Sequence, residues 1–420
     1  REIDSLKRLD YISDEAETKL RYENTSQLNG YRITAGAGLE YANYTNNTFR
    51  KSFAGGEVVT IDYNSNLDIF QWNLFGQVSK SYLEGLLSLS LGFRADANNY
   101  SPSMNNLLDQ FSPRFSASYN FTPRWSVNFN TGRYYQLPPY TTLGFSNQQG
   151  DLLNKENGLR YILADHLVGG LQFLPNEQSK ISLEGFYKDY NDYPFSLEDS
   201  ISLANKGTDF GSFGDEQVKS VAEGRAYGLE LLFRHQDLFG TNVVLSYTYV
   251  RSEFRELNEQ LETTSSFIPS TWDNRHLLNL TATREFKNNW QVGLRWRFVG
   301  GAPYTPLDRQ KSAQINAWNA RGRAYPDFDR LNARRLEPFH QLDLRVDKQF
   351  FFDRWSLMLY LDVQNVYNFA ADEPPVLIRR TGEDDQPQVD PDNPDRYLLK
   401  RLEVEESGNV LPSIGVIVEF

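Results

Sequence analysis

Along most of this chain apolar and polar residues alternate one by one, and the three-to-four-residue spacing of an amphipathic helix is almost absent. Alternating segments lie at about 30–44, 66–80, 84–97, 110–121, 125–136, 162–174, 179–191, 222–237, 241–254, 271–286, 289–302, 338–352, 354–368 and 410–420, with a weaker one at 17–26. The pattern predicts about fifteen antiparallel strands, several of them ten to fifteen residues long. Strands of globular proteins run nearer about five or six residues. Strands of this length suit a sheet that must span a fixed thickness.

The connections alternate between two kinds. Short ones carry turn residues: Leu28-Asn29-Gly30, Leu83-Glu84-Gly85, Thr122-Pro123-Arg124, Pro175-Asn176-Glu177, Leu238-Phe239-Gly240, Lys287-Asn288-Asn289 and Asp353-Arg354. Between them lie long polar stretches at about 45–65, 98–109, 137–161, 192–220, 255–270, 303–337 and 369–409. Tight turns at one end and long loops at the other are the plan of a transmembrane barrel, whereas a soluble sandwich mixes its loop lengths. No repeat of propeller length recurs.

Sorting each strand by parity separates two faces. Trp355, Leu357, Leu359, Leu361 and Val363 oppose Ser356, Tyr360, Asp362 and Gln364, and Val292, Leu294, Trp296 and Phe298 oppose Gln291, Gly293, Arg295 and Arg297. Leu87, Leu89, Leu91 and Phe93 likewise oppose Ser88, Ser90, Gly92 and Arg94. A run of four or five apolar positions covers a band of about 25 Å when the strand is tilted. Aromatic residues recur at strand ends, among them Trp72, Tyr119, Phe121, Trp125, Tyr247, Tyr249, Phe286, Trp290, Trp355 and Tyr367. Tyr and Trp suit a boundary that is apolar on one side and wet on the other. The fold expected is therefore all-β: a transmembrane antiparallel β-barrel with a lipid-facing belt and a wet lumen.

Composition fits that picture and removes others. Tyrosine and phenylalanine number 24 and 28, against no cysteine, and the formal net charge is −12. No apolar run approaches the length of a membrane helix. An acidic chain has no surplus to hold a phosphate backbone, so no nucleic-acid partner is expected. Without cysteine there is no thiolate chemistry or disulfide framework. His166, His235, His276 and His340 are scattered, and none stands at metal-ligand spacing from another. The glycine-containing stretch 207–214 has no strand-to-helix setting of a phosphate cradle. No catalytic residue and no cofactor are assigned, and an enzyme is not expected.

Candidate binding groups lie in and near the long loops. Tyr134, Tyr135 and Tyr140 flank Pro138 and Pro139, placed either to line a ligand vestibule by stacking or to extend a girdle. Residues 304–336 hold seven Arg or Lys against three Asp. Arg321 and Arg323 in this stretch are candidates for an anionic ligand or lipopolysaccharide phosphates, against the plainer reading of a solvated loop balancing acidic neighbours. The acidic neighbour, 381–396, carries six carboxylates, of which Asp390, Asp392 and Asp395 offer oxygen ligands for calcium. The glycine and bidentate glutamate of an EF-hand loop are missing there. On the polar face, Arg114, Glu230, Arg295, Arg297, Asp343, Arg345 and Asp347 are expected to meet the lumen or whatever fills it.

Several stretches carry a family likeness. FSPRFSASYNFTPRWSVNFNTGRYYQLPPYTTL (111–143), WDNRHLLNLTA (272–282), LRWRFVGGAPYTPLD (294–308), FHQLDLRVDKQFFFDRWSLMLYLDVQNVYN (339–368) and LPSIGVIVEF (411–420) resemble TonB-dependent outer-membrane receptors of the Bacteroidetes type. The resemblance implies an N-terminal plug inside a barrel of about 22 strands, a scarce ligand (siderophore-like, cobalamin, glycan or peptide) captured outside, and import powered by TonB acting on the plug. It implies outer-membrane localisation with short turns periplasmic and long loops extracellular, and makes Phe420 the aromatic end that signals barrel assembly. Outer-membrane lipid, lipopolysaccharide and a surface lipoprotein are the further partners it suggests. At about 28 residues per strand the chain holds about seven strands fewer than that barrel. The expectation is a C-terminal barrel portion without its plug: 1–16 as an extracellular loop remnant and 17–420 as barrel. The first ten residues also lack the pattern of a signal peptide. Two rival readings are a passive porin-like channel and a barrel platform that docks a surface lipoprotein.

Overall fold

The computed structural model describes residues 7–206, 215–258, 260–402 and 408–420. Sixteen strands join in one antiparallel sheet: β1 (Leu9–Leu28), β2 (Tyr31–Ala54), β3 (Glu57–Tyr82), β4 (Leu87–Asn98), β5 (Phe111–Asn120), β6 (Trp125–Gln136), β7 (Ile162–Phe173) and β8 (Ser179–Ser196), then β9 (Val218–Leu238), β10 (Thr241–Leu257), β11 (Thr263–Pro269), β12 (Arg275–Phe286), β13 (Trp290–Val299), β14 (Phe339–Phe351), β15 (Ser356–Gln364) and β16 (Leu411–Glu419). Fifteen follow one another without a crossover, each paired with its sequence neighbour, and the short β11 pairs only with the end of β10. These fifteen are the alternating segments of the sequence. Among the described residues, β1 and β16 are each paired on one side only. No helix among the described residues is long and apolar enough to cross a membrane.

Register shows why the pattern is so regular. One row of directly paired residues runs Tyr82, Leu87, Tyr119, Val127, Leu171, Leu183, Leu231, Tyr247, Leu278, Phe298 and His340. The row one residue over on the other face reads Ser81, Ser88, Ser118, Asn128, Gly170, Glu184, Glu230 and Thr248. A single sheet thus has one apolar and one polar face. The apolar row starts beside a short turn at Tyr82 and ends near a long loop at His340. That progressive stagger is the shear that tilted barrel strands require.

The apolar face is edged by aromatics at both ends. Near the short turns, Phe121 stacks on Trp125 and Trp125 on Phe173, at 6.4 and 4.2 Å, and Phe352 stacks on Trp355 at 4.2 Å. Toward the long loops, the Tyr247 hydroxyl and His276 Nδ1 are 2.8 Å apart, as are His340 Nδ1 and the Tyr367 hydroxyl. Such pairs give the polar tips partners where the belt meets water. Phe420, fully exposed, continues the apolar parity of Ile414, Val416 and Val418.

The short turns are set by backbone chemistry. Asn29 and Gly30 (φ 51° and 79°), Phe239 and Gly240 (53° and 81°), and Asn288 and Asn289 (60° and 57°) take the two positive-φ positions of primed hairpins, whose twist matches the strands.

Several expectations need correction. The stretch 45–65 is not a loop. β2 and β3 run through it to a two-residue turn at Gly55-Gly56, both at positive φ. Both of its faces mix polar residues with apolar ones such as Phe49, Phe53, Val58 and Val59, which hides the alternation, yet inward Tyr44, Asn46 and Thr48 are buried in turn and joined by side-chain hydrogen bonds. Residues 9–16, expected as loop, are strand paired with Asn43–Arg50 of β2, for the same reason. Within 255–270, β11 folds back on β10. The stretch 207–214 lies outside the described residues.

The faces make opposite predictions for one substitution. Leu91→Arg places a charge in the middle of the apolar face and should cost about 2–4 kcal/mol, whereas Ser90→Arg on the polar face should cost under about 1 kcal/mol. Denaturant titration of the refolded protein in lipid vesicles measures both.

Candidate functional site: a capped mouth and a charged inner wall

At the long-loop end the polar face is covered. The chain after β6 turns at Pro138 and Pro139 into a short helix, α1 (Tyr140–Leu143), and a second, α2 (Leu153–Glu156). Together with Leu203 from the β8–β9 connection and Val218 at the start of β9, this segment packs on Tyr44, Leu67, Ile69, Tyr100 and Met104. Ile69, Met104, Leu143 and Leu159 are completely buried, each worth about 1.5–3 kcal/mol relative to exposure. A core of this kind on the polar side of a sheet is a plug of loops in the mouth, held by the hydrophobic effect.

Buried polar groups tie the cap to the strands. Asn154 Nδ2 donates to the Thr142 and Glu216 carbonyls at 2.8 and 2.9 Å, while its oxygen accepts from the Val218 amide at 2.8 Å. Lys206 Nζ lies 2.5 Å from both Asp199 and Glu216, and the Ser196 hydroxyl also bonds Glu216. Burial opposes the lysine charge, but Glu216 and Asp199 outweigh it and hold the Lys206 pKa above the ordinary lysine value. Arg50 Nε lies 3.3 Å from Asp215, and Glu198 3.5 Å from its Nη2. Sequence reading missed this clamp, because Arg50 stood in an expected loop and its carboxylate partners are 148 and 165 positions away along the chain.

The three candidate tyrosines separate. Tyr140 is part of the cap, stacked 6.1 Å from Tyr44, its hydroxyl donating to Glu17 at 2.9 Å. Burial, with Glu17 beside it, pushes its phenol pKa up, so it stays protonated. Tyr134 lies lower on the polar face, its ring 4.4 Å from the Arg114 guanidinium and 4.5 Å from the His166 ring. Tyr135 has the opposite parity and packs, half-buried, against the cap core.

The basic stretch is folded and anchored. Helices α3 (Arg309–Ala313) and α4 (Ile315–Arg321) lead to Tyr325, which packs with Ala317, Ala320 and Phe53 of β2. Arg321 lies over the Tyr325 ring at 5.0 Å, and Arg323 is exposed. Arg309 donates to the Leu399 carbonyl at 3.0 Å, Arg330 pairs with Asp327 at 2.6 Å, and Arg335 pairs with buried Asp273. Much of the charge is therefore spent on holding the loop to its neighbours.

The acidic stretch does not converge on a cation. Asp390 accepts from the Asp392 amide at 3.0 Å and from Asn393 Nδ2 at 3.2 Å, capping the turn between strands Val389–Asp390 and Asn393–Tyr397. Among the described residues no group of three or more His, Asp or Glu is placed to hold a metal ion. Of the calcium candidates Asp390, Asp392 and Asp395, Asp390 caps this turn, and among the described residues the three form no group placed to hold a metal ion.

The seven wall residues do share the polar face. Arg295 stands opposite Asp343, and Glu230 opposite both Thr248 and Glu184. Arg297 reaches Asp343 at 3.6 Å and Arg345 reaches Asp347 at 2.7 Å, so these four neutralise one another within the wall. Arg114, on β5, has its aromatic neighbour Tyr134 instead.

A double-substitution cycle tests the clamp. Glu216→Gln alone leaves a buried ammonium short of a partner and should weaken the cap by about 3–5 kcal/mol. Lys206→Met combined with Glu216→Gln should cost less than the sum of the two single changes. A lysine pKa raised by folding stabilises fully below the unfolded value of about 10.4 and is lost above the folded one. Protection of the β8–β9 connection from protease should therefore hold from neutral pH to about pH 10 and fall beyond it.

The comparisons with known proteins fit this geometry. Residues 3–366 match the family model described as TonB dependent receptor-like, beta-barrel. No curated protein matches the sequence. Among solved structures, the ferric enterobactin receptor PfeA from Pseudomonas aeruginosa is 16% identical with a TM-score of 0.57, covering 86% of this chain and 50% of its own. The outer membrane transporter YddB from Escherichia coli is 15% identical with a TM-score of 0.54, covering 98% and 54%. The ferric citrate transporter FecA gives 15%, 0.55, 98% and 56%. The chain thus spans about half the length of the structures it matches. With the family model covering nearly all of the fifteen-strand path, this chain belongs to the TonB-dependent receptor-like β-barrel family.

Proposed function

We propose that this sheet is the wall of an outer-membrane importer that captures a scarce ligand outside and admits it with energy delivered by TonB. The observation that carries the reading is the capped, polar-lined interior. Tight turns would face the periplasm and long loops the exterior, the arrangement by which barrels present binding loops to the medium. The cap core around Ile69 and Leu143 fills part of the mouth, which argues against an open, passive pore. Several structural neighbours are named for ferric complexes, including ferric citrate, ferric enterobactin and ferripyoverdine. An anionic metal chelate is accordingly the ligand class favoured here, ahead of cobalamin, glycans and peptides.

In this reading Arg321 and Arg323 supply positive potential at the mouth, which raises the encounter rate of an anion. Tyr140 holds the cap through Tyr44 and Glu17. Glu230 and Arg295 face the lumen as fixed charges for a plug that transmits the pull of TonB. The importer performs no covalent chemistry, so no catalytic residue is required.

Uptake of a radiolabelled ferric chelate by iron-limited cells tests the reading. Uptake should require both the receptor and TonB and should vanish when either is deleted. Persistence without TonB, with a small-solute conductance in planar bilayers, would support the passive channel instead. Arg321→Gln with Arg323→Gln should reduce the capture rate severalfold at low salt and less at high salt.

A further inference from the structure

At the short-turn end, the apolar face repeats one arrangement of turn, ring and cation. Each of the three primed turns is followed by a residue that stands directly opposite a cation on the next strand. Tyr31 stands opposite Lys80, Thr241 opposite Arg284 and Trp290 opposite Lys348. At the other four short turns that place is held by Tyr119, Phe173, His235 and Glu419. Lys80, Arg284 and Lys348 are paired with Leu89, Val292 and Leu359 on their other sides. All three therefore point out with the lipid-facing belt and not into the lumen.

Each cation lies over rings and bends back toward a turn. Lys80 Nζ is 4.0 Å from the Tyr31 ring and 5.4 Å from that of Tyr82, and a Cβ on Gly30 would lie 3.8 Å from Lys80 Cε. Lys348 Nζ is 5.3 Å from the Trp290 ring and 5.1 Å from that of Phe350, and it donates to the Asn288 carbonyl. The Arg284 guanidinium is 5.4 Å from the Phe286 ring, and a Cβ on Gly240 would lie 3.6 Å from its Nη2. The long stems run along the belt and deliver their charge at its edge, where the rings give way to the turns.

The protein supplies little to balance that charge. Toward the long loops, cations of the same parity meet carboxylates, Arg133 with Asp165 at 2.8 Å and Arg225 with Glu253 at 2.6 Å, whereas among the described residues Lys80, Arg284 and Lys348 have none within ion-pair distance. Asp237, at the end of β9, accepts from the Gly240 amide at 2.8 Å. The turns themselves mix signs, with Arg124, Lys287 and Arg354 against Glu84, Glu177 and Asp353. A cation at the edge of hydrocarbon is stabilised by a counter-anion at the same depth. In a membrane that anion is the lipid phosphate, and the exposed Phe286 and Trp290 rings lie where a lipid's ester region would rest.

We infer that Lys80 with Tyr31, Arg284 with Phe286, and Lys348 with Trp290 form three headgroup sites for an anionic glycerophospholipid in the leaflet around the short turns. The choice of leaflet rests on the orientation proposed above, with the short turns periplasmic. Bound lipid at these points fixes the depth of the sheet through the strands on which the turns close.

Native mass spectrometry of the purified full-length protein in detergent, with phosphatidylglycerol as the probe and phosphatidylcholine as its uncharged-headgroup comparison, tests the sites. Phosphatidylglycerol should be retained in preference, and Lys80→Gln, Arg284→Gln and Lys348→Gln should each weaken its binding at one site about fivefold. The triple variant should retain the two lipids equally. Lys180→Gln, which removes a charge from the polar face near the short turns, should leave retention unchanged. Heat-modifiable gel migration confirms that each variant has assembled, and Lys80→Gln, which breaks no hydrogen bond to a turn, carries the test if Lys348→Gln does not assemble. Equal retention of both lipids by the unsubstituted protein, or equal loss in Lys180→Gln, overturns the proposal and leaves the cations as turn caps. Preferential retention of lipid A through the same three residues, with none of phosphatidylglycerol, also overturns it. Binding in detergent does not depend on orientation. If it behaves as expected but Lys287→Cys is labelled by a charged maleimide on intact cells, the sites stand and the orientation falls.

Discussion

Every backbone N–H and C=O that enters hydrocarbon must be paired inside the protein, and this requirement governs the chain from end to end. It permits only one arrangement for a chain without long apolar helices: strands in an unbroken ladder, each bonded to the next. Fifteen strands in sequence order meet it along their shared edges. Once the ladder is set, the pleat dictates the rest of the pattern. Alternate residues meet lipid, the others meet water, and the stagger carries the row from Tyr82 to His340 across the band.

The same constraint explains where chemistry can reside. The apolar face has no latitude beyond its aromatic edges. The polar face is free to carry charge, and it does so unevenly. Around β13 and β14 it neutralises itself through Arg297 with Asp343 and Arg345 with Asp347. Around β5 to β8, Arg114 and Lys188 share one register row with no carboxylate in ion-pair distance among the described residues. Above the band the backbone is released from the lipid, and there the loops build a core of their own around Ile69 and Leu143, pinned by Lys206 and Arg50.

How much of this was legible in the sequence follows from the same physics. Strands inside the band announce themselves because lipid demands apolar residues at every second position, as at Leu87, Leu89 and Leu91. Above the band that demand ends. β1 to β3 continue as strands through mixed polar and apolar residues, and Tyr44, Asn46 and Thr48 keep alternating in burial but not in hydropathy. The wall residues were readable by parity alone. The cap was not, since the pairing of Arg50 with Asp215, or of Lys206 with Glu216, depends on loops folding back over distant strands. Tyr134 and Tyr135 show the limit: adjacent in sequence, they lie on opposite faces, and only register tells which one meets Arg114.

The central claim is that one face of this sheet meets lipid and the other an aqueous interior. The chain has no cysteine, so single cysteines introduced from Ser88 to Phe93 of β4 can be labelled in the native membrane without background. Labelling by a charged maleimide, against a lipid-soluble one, is the most direct measurement. The account predicts a period of two, with Ser88, Ser90 and Gly92 positions favouring the charged reagent and Leu89, Leu91 and Phe93 positions the lipid-soluble one. Equal labelling of successive positions by either reagent would contradict it.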